Sequence, residues 1–459
     1  MKFSIVLFLI LLAAESQTKF IPHFLTHLDP LVEQQNVDRF LNKITVFHQL
    51  QAKVFGINLP PSAKILKEDS DENQFAVEGD ILLSEKQLDR RINHLRSQIE
   101  NPRTRPKRSF VEGEFNLWPI PVPYQFNFTS GVGRAVIMSG IYWWQNNTCV
   151  RFEEKTSAAS RLVFESSGPD CLSSVGKLGD AIQKSYLPQR CWVLGSVIHE
   201  LGHSLGCWHE QSRSDRDEYV NINLANLESP TPGDFYRTEF SEMNGYGVGY
   251  DHGSIMHYGP VDMALDYSQH VMTTVDPNYQ MTIGQVDEPS FADIKRMNAA
   301  YCSAVCESSP PITCQNKGYP DPNNCSRCKC PPAFSGAYCQ SIKKPVTDCG
   351  GFRTANSAFA TMSIAGNVLC YWVITSPPNT QIRFDVKEMT IISPSTNVYE
   401  EHACLKNYLE INYLRDFTYS GARFCNGTLP TILRSQSNSL IVTYKGHSGA
   451  SFKLDYRYV

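Results

Sequence analysis

The sequence predicts a multidomain chain with four parts: a polar helical segment, a central α+β unit, a small disulfide-held module and a C-terminal all-β sandwich. Three observations carry this expectation. The 459 residues exceed what one ordinary hydrophobic core holds. Fifteen cysteines are spread unevenly, with none in residues 17–108 and six between 306 and 339. Beyond Cys349, β-branched and aromatic runs alternate with turn residues. With 42% hydrophobic and 19% charged residues, the chain can bury proper cores. Its 42 basic and 46 acidic side chains leave a net charge of −4, which argues against nucleic acid as a partner.

Residues 1–16 place Lys2 before the apolar run Phe3 to Leu12, followed by Ala13 and Ala14. This is the pattern of a signal peptide. A membrane anchor is the alternative, but the run falls short of the ~18 residues needed to span, and no membrane span is expected. Secretion to the extracellular space is therefore expected, and it makes disulfides available. Asn127, Asn146, Asn324 and Asn426 begin glycosylation sequons, with Cys325 in the middle position of the third.

In residues 17–108, Val37, Phe40, Leu41, Ile44, Phe47 and Leu50 recur at helical spacing, as do Leu88, Ile92, Leu95 and Ile99. Ser84 and Gln87 form a capping box for the second helix. The segment ends in the basic run Arg103 to Arg108. Its Arg-Pro-Lys-Arg looks like a proprotein-convertase site that would cut after Arg108 and leave Ser109 first; a solvated linker is the alternative. Residues 109–302 form the largest unit, with strand-like pieces at 124–128 and 162–165. Residues 303–340 are too few for a core, so disulfides must hold them; zinc on Cys325, Cys328 and Cys330 is the alternative, disfavoured because the module lacks histidine. Strands are expected in 349–459 at 371–375, 381–386, 408–412 and 440–444.

The most informative segment runs from Val197 to Glu210. Leu194, Ile198, Leu201 and Leu205 form one helical stripe expected to be buried. His199 and His203, four apart, project from one helix face and can grip a single ion. Gly206 permits the positive-φ turn that would bring His209 back to the same point. Three neutral imidazoles leave a coordination position open, which distinguishes a catalytic from a structural zinc site. Glu200 points beside the metal and can take a proton from water, whose pKa zinc lowers from 15.7 to about 7. Downstream, Ser254-Ile255-Met256-His257-Tyr258 offers Met256 as an apolar floor beneath the imidazoles.

The long histidine motif and this methionine turn together mark the metzincin pattern. The continuation Glu210-Gln211-Ser212-Arg213-Ser214-Asp215-Arg216-Asp217 and the turn Ser-Ile-Met-His-Tyr resemble the astacin family of zinc metalloendopeptidases. The resemblance implies an α+β metzincin catalytic domain with one Zn2+, with Tyr258 as a displaceable ligand that later steadies the oxyanion. It also implies that Glu210 is approached by the new N-terminus after processing. Val77-Glu78-Gly79-Asp80 resembles the family's inhibitory Phe-x-Gly-Asp with Val in place of Phe, making 17–108 a propeptide and Asp80 the zymogen switch. The implied bridges are Cys149 with Cys302 and Cys171 with Cys191. An EGF-like module would pair Cys306 with Cys325, Cys314 with Cys328 and Cys330 with Cys339, and a CUB domain would pair Cys349 with Cys370 and Cys404 with Cys425. Cys207 is left unpaired, read as a small buried hydrophobe.

Two departures qualify the match. Asn407 precedes Tyr408-Leu409-Glu410, and Lys445-Gly446-His447 stands where a later Asp is usual, so calcium in the CUB domain is disfavoured. Val286 follows Gly284-Gln285 where relatives that favour acidic residues after the scissile bond carry Arg, so a weaker acidic preference is expected. The reading is a secreted zymogen that hydrolyses extracellular matrix or cuticle proteins, its EGF-like and CUB modules serving protein partners. A catalytically silent adhesion protein is the competing class.

Overall fold

A computed structural model describes residues 39–40, 42–47, 49–50, 53, 76–100 and 117–459, the last span without 169, 180–181, 228–234, 236, 238–244, 345–347, 396–397, 399, 428 and 430–432. The expected leader, the basic run and its Arg108 and Ser109 lie outside the described residues.

In the N-terminal segment, β1 (Ala76–Val77) and β2 (Ile81–Leu82) form a tight hairpin before helix α1 (Glu85–Glu100). The Ser84 N–H donates to Gln87 Oε1 at 2.8 Å and the Gln87 N–H to Ser84 Oγ at 3.2 Å, the reciprocal cap that starts the helix. Leu88, Ile92 and Leu95 are buried with Phe40, Ile44 and Phe47, and the cluster also takes Val175 and Trp208. The Arg91 guanidinium lies 4.2 Å over the Trp208 ring. This segment is therefore seated on the central unit, one residue from His209.

The central unit is built on a parallel sheet of β3 (Val122–Phe126), β4 (Phe152–Glu154), β5 (Arg161–Glu165) and β7 (Ile182–Tyr186), in the order β4-β3-β5-β7. Helix α2 (Gly131–Asn147) crosses between β3 and β4. The first strand lies two residues earlier than its sequence pattern: Asn127 Nδ2 turns to the Glu165 carboxylate at 2.9 and 3.0 Å, and Phe128 leaves to stack on Trp192. The short β6 (Ser173–Ser174) meets β7 through the Leu172–Tyr186 bridge and presents its other edge to β2. Helix α3 (Leu194–Ser204) packs on α2 where Gly140 has no side chain; a Cβ there would come 2.6 Å from Val197 Cγ1. Ile198, Leu201 and Leu205 enter the core with Trp144, Met256 and Met297. Leu194 departs from the expected stripe, being 40% exposed, because the helix begins with it at the rim of a cleft. Strands β8 (Val220–Ile222) and β9 (Met272–Thr274) pair beyond, and α4 (Phe291–Tyr301) closes the unit.

Two bridges join distant parts of this unit, Cys149–Cys302 and Cys171–Cys191. The small module follows with two hairpins, β10 (Tyr319–Asp321) with β11 (Asn324–Lys329) and β12 (Phe334–Ser335) with β13 (Ser341–Ile342). Cys306–Cys325, Cys314–Cys328 and Cys330–Cys339 cross-link it. The C-terminal sandwich stacks a five-stranded sheet on a four-stranded one. In chain order its strands are β14 (Gly351–Thr354), β15 (Ala360–Ala365), β16 (Leu369–Thr375), β17 (Ile382–Met389), β18 (Tyr408–Asn412), β19 (Ala422–Phe424), β20 (Leu433–Arg434), β21 (Ser439–Lys445) and β22 (Ser451–Tyr458). The sheets run β14-β16-β21-β18-β19 and β15-β22-β17-β20, with Cys349–Cys370 and Cys404–Cys425 as bridges.

The sandwich rests on the central unit. Tyr279 enters its core, the Cys404 N–H donates to the Met281 carbonyl at 2.8 Å, and Ser420 N–H donates to Asp251 Oδ1 at 2.9 Å. Asn407 Nδ2 donates to the Ile392 carbonyl at 3.2 Å and the Ile392 N–H donates to His447 Nε2 at 3.0 Å. All four sequon asparagines are exposed. Among the described residues no helix is long and apolar enough to cross a membrane.

Candidate active site

Helix α3 supplies His199, Glu200 and His203. Gly206, at φ 110°, ends the helix, and the Cys207 N–H closes back on the Gly202 carbonyl at 2.9 Å. That turn delivers His209 to face the other two imidazoles, with ring centroids 5.4 Å from His199 and 4.7 Å from His203.

Each imidazole has its Nδ1 committed to an oxygen. His199 Nδ1 donates to the Ile255 carbonyl at 2.9 Å, His203 Nδ1 to the Cys207 carbonyl at 2.7 Å and His209 Nδ1 to Glu78 Oε2 at 3.1 Å. A carbonyl or carboxylate accepts only, so these bonds put the protons on Nδ1 and leave three Nε2 lone pairs turned inward. The Nε2 atoms of His199 and His203 lie 2.9 Å apart, lone pair against lone pair, and His209 Nε2 is buried without a hydrogen-bond partner among the described residues. Asp80 completes the group, with carboxylate oxygens 3.2, 3.6 and 3.3 Å from the Nε2 atoms of His199, His203 and His209. Four ligands at Zn–N distances of about 2.0–2.1 Å in a tetrahedron stand about 3.3 Å from one another. The separations around Asp80 bracket that edge, so the donor set fits Zn2+.

Electrostatics agree with the geometry. Burial lowers His203 to about 4, holding it neutral as a ligand must be. Burial opposes charge on His209 too, yet Asp80 and Glu78 push it up to about 10; a divalent cation at Nε2 would answer the same demand for positive charge. Burial also works against the Asp80 carboxylate, but the imidazoles around it hold it well below its usual range. Glu200 is 2% exposed and sits outside the ligand group. Burial, then the Asp80 charge, raises it well above an ordinary carboxylate, and its Oε2 takes no hydrogen bond among the described residues.

Met256 lies beneath the ligands at 1% exposure, its Sδ 3.1 Å from where a Gly202 Cβ would stand. The turn that carries it is braced by Asp293, which caps α4 with Ser290 while accepting from Ser254 Oγ at 2.6 Å and the Ile255 N–H at 3.0 Å. The Tyr258 ring packs 4.7 Å from that of His209, and its hydroxyl donates to the Glu78 carbonyl. Glu210, fully buried, receives Arg296 Nη1 at 2.8 Å and Nη2 at 3.0 Å together with the Asp251 N–H at 2.8 Å. Cys207 is the free cysteine, half-buried; burial pushes its thiol up to about 12, and its carbonyl is what holds His203. Sequence reasoning missed the bonds of Glu78, Asp293 and Arg296. Only Asp293 had a local signal, the Ser290-x-x-Asp capping pattern.

Residues 110–302 match the family model for the astacin peptidases, and residues 352–456 match that for the CUB domain. Zinc metalloproteinase nas-34 of Caenorhabditis elegans is 39% identical over 448 residues, which cover 93% of this chain and 72% of that one. Zinc metalloproteinase nas-30 of the same organism is 35% identical over 370 residues, 80% of this chain, which spans about half (48%) of that relative. Among solved structures, high choriolytic enzyme 1, a hatching enzyme zinc-protease from the medaka Oryzias latipes, aligns at 32% identity and a TM-score of 0.38 over 40% of this chain and 94% of its own.

Proposed function

The chain belongs to the astacin family of zinc metalloendopeptidases, and from that membership we propose that it is a secreted enzyme, made latent by its N-terminal segment, that cuts extracellular matrix or cuticle proteins. The observation that carries the reading is the inward convergence of three Nε2 lone pairs on one point, with Asp80 across from them. His199, His203 and His209 would hold the zinc, which when bound would supply a Lewis acid and an acidified water for peptide hydrolysis. Glu200 accepts the water's proton in its buried setting and returns it to the departing amine. Tyr258, once its hydroxyl leaves the Glu78 carbonyl, donates to the oxyanion of the scissile carbonyl. The domains are read as leader 1–16, propeptide 17–108, catalytic domain 109–302, EGF-like module 303–340 and CUB domain 349–459.

Latency is supported by the edge that the N-terminal segment occupies. Strand β2 pairs with β6 in parallel, Ile81 opposite Ser173 and Leu82 opposite Ser174, and the Ser173 N–H donates to the Asp80 carbonyl at 2.9 Å. The segment thus lies along the edge that an extended substrate would use for backbone hydrogen bonds, while Asp80 would take the ligand position left open by the three imidazoles. Release requires removal of 17–108, with cleavage after Arg108 freeing Ser109.

The test is cleavage of casein or denatured collagen by the processed chain. Activity is expected to fall to background on chelation and to return with stoichiometric Zn2+; a metal-free preparation that remained active would end the proposal. In the unprocessed chain, Asp80→Ala is expected to raise cleavage at least about tenfold, because it opens one ligand position without touching the three imidazoles. A mutant as silent as its parent would remove Asp80 from the switch.

A further inference from the structure

With the inhibitory turn in place, a cavity of about 430 Å3 remains open beside the metal centre. Gly79 and Asp80 of the N-terminal segment form part of its lining. A Cβ on Gly79 would stand 2.7 Å from Met263 Cε and 3.0 Å from Tyr258 Oη, and the φ of +74° at that residue disfavours any side chain. Val286 also lines it, and its carbonyl lies 1.7 Å from where a Gly195 Cβ would be, so that segment rests directly on the start of α3. No lysine or arginine lines the cavity among the described residues; its charged side chains besides His199 are Asp80, Asp170, Glu200 and Asp262.

Three of these carboxylates are already engaged. Asp80 departs with the N-terminal segment, Glu200 serves the proton transfers, and Asp170 takes the Arg190 guanidinium at 3.2 Å and the Cys171 N–H at 2.9 Å. Asp262 is different. Its Oδ2 accepts the Gly259 N–H at 2.6 Å, and neither oxygen meets a cation among the described residues. A carboxylate offers about four acceptor sites, so most of its capacity faces the cavity unused. The residue is half-buried, where a charge pair is screened less than at an open surface.

We propose that Asp262 makes the pocket beside the scissile bond, on the Val286 side, select a lysine or arginine side chain of the substrate. The proposal rests on the endopeptidase reading above and names the substrate class of that same site. A basic side chain entering the pocket gains a hydrogen bond in which both partners are charged, which no neutral side chain can make, and an acidic one is repelled by the carboxylate.

The test profiles the processed, zinc-loaded enzyme on a peptide library, then compares kcat/KM for an arginine peptide and its leucine-substituted twin. The wild type is expected to enrich Lys and Arg at one position flanking the cut. Asp262→Asn keeps an acceptor for the Gly259 N–H and should shrink the Arg-to-Leu ratio about tenfold or more, the worth of one hydrogen bond to a charged group. Asp262→Arg should turn the preference toward Asp and Glu, and melting curves of both variants check folding. A flat or acidic wild-type profile, or a ratio unmoved by either variant, overturns the assignment of Asp262. Robust cleavage with no basic preference sinks this proposal alone, whereas no cleavage of any peptide by zinc-loaded enzyme sinks it together with the endopeptidase reading.

Discussion

Glu200→Gln in the processed chain is expected to lower kcat on casein by about 10²–10⁴-fold, the usual span for losing a positioned general acid–base, with zinc content unchanged. The two halves of that expectation rest on separate observations. Glu200 lies outside the ligand group, which is made of Asp80 and the three histidines, so an amide at 200 leaves every Nε2 as it was. Gln also fills the same 2%-exposed space without creating a cavity. What it lacks is basicity: burial raises the Glu200 carboxyl well above the ordinary range, where it can hold a proton taken from water, and an amide cannot. Metal content by atomic spectroscopy and initial rates on the same preparation decide the matter. A variant that kept both zinc and full activity would remove Glu200 from the proton transfers, whereas a zinc-loaded parent as inactive as the variant would leave the adhesion reading in place of the catalytic one.

How much of this was legible follows from how local each feature is. The spacing of His199 and His203 is set by one helical turn, and the Ser84–Gln87 cap by three residues, so periodicity alone exposes both. The return of His209 needs only the positive φ that Gly206 supplies. Two of the Nδ1 partners were not legible, because Ile255 and Glu78 are 56 and 131 residues from their imidazoles. Which residue arrives at that distance is fixed by packing, here by the seat of α1 and β2 on Val175 and Trp208, and no local pattern encodes it. Leu194 shows the converse. Its period is right, but a stripe cannot say where a helix starts, and Leu194 is the first residue of α3, left 40% exposed while Val197 one turn on is buried.

The Glu210–Arg296 pair is the clearest nonlocal feature, and removing one partner has the second large consequence. Glu210 has no exposed surface, and both of its oxygens are bound by the Arg296 guanidinium, 86 residues away on α4. Burial opposes the Glu210 charge, yet Arg296 and Arg213 outweigh it and hold the carboxyl below its ordinary value. Arg213 approaches Glu210 only to 3.9 Å while giving Nε and Nη2 to Asp215 at 2.8 Å, so it cannot stand in for Arg296. Arg296→Met should therefore cost about 3–5 kcal/mol, the penalty of stranding a buried charge, and lower the melting temperature by about 10 °C or more. Arg296→Met combined with Glu210→Gln should recover most of that loss, because no charge is then left unpaired. Activity should suffer beyond stability in the single variant. The Glu210 N–H is bonded to the Met256 carbonyl at 2.7 Å, so a shifted Glu210 drags on the methionine turn on one side and on His209 on the other. Thermal unfolding of the two variants beside the parent, with rates at a temperature where all are folded, separates the two effects; a single variant as stable as the parent would show that the carboxylate finds another cation.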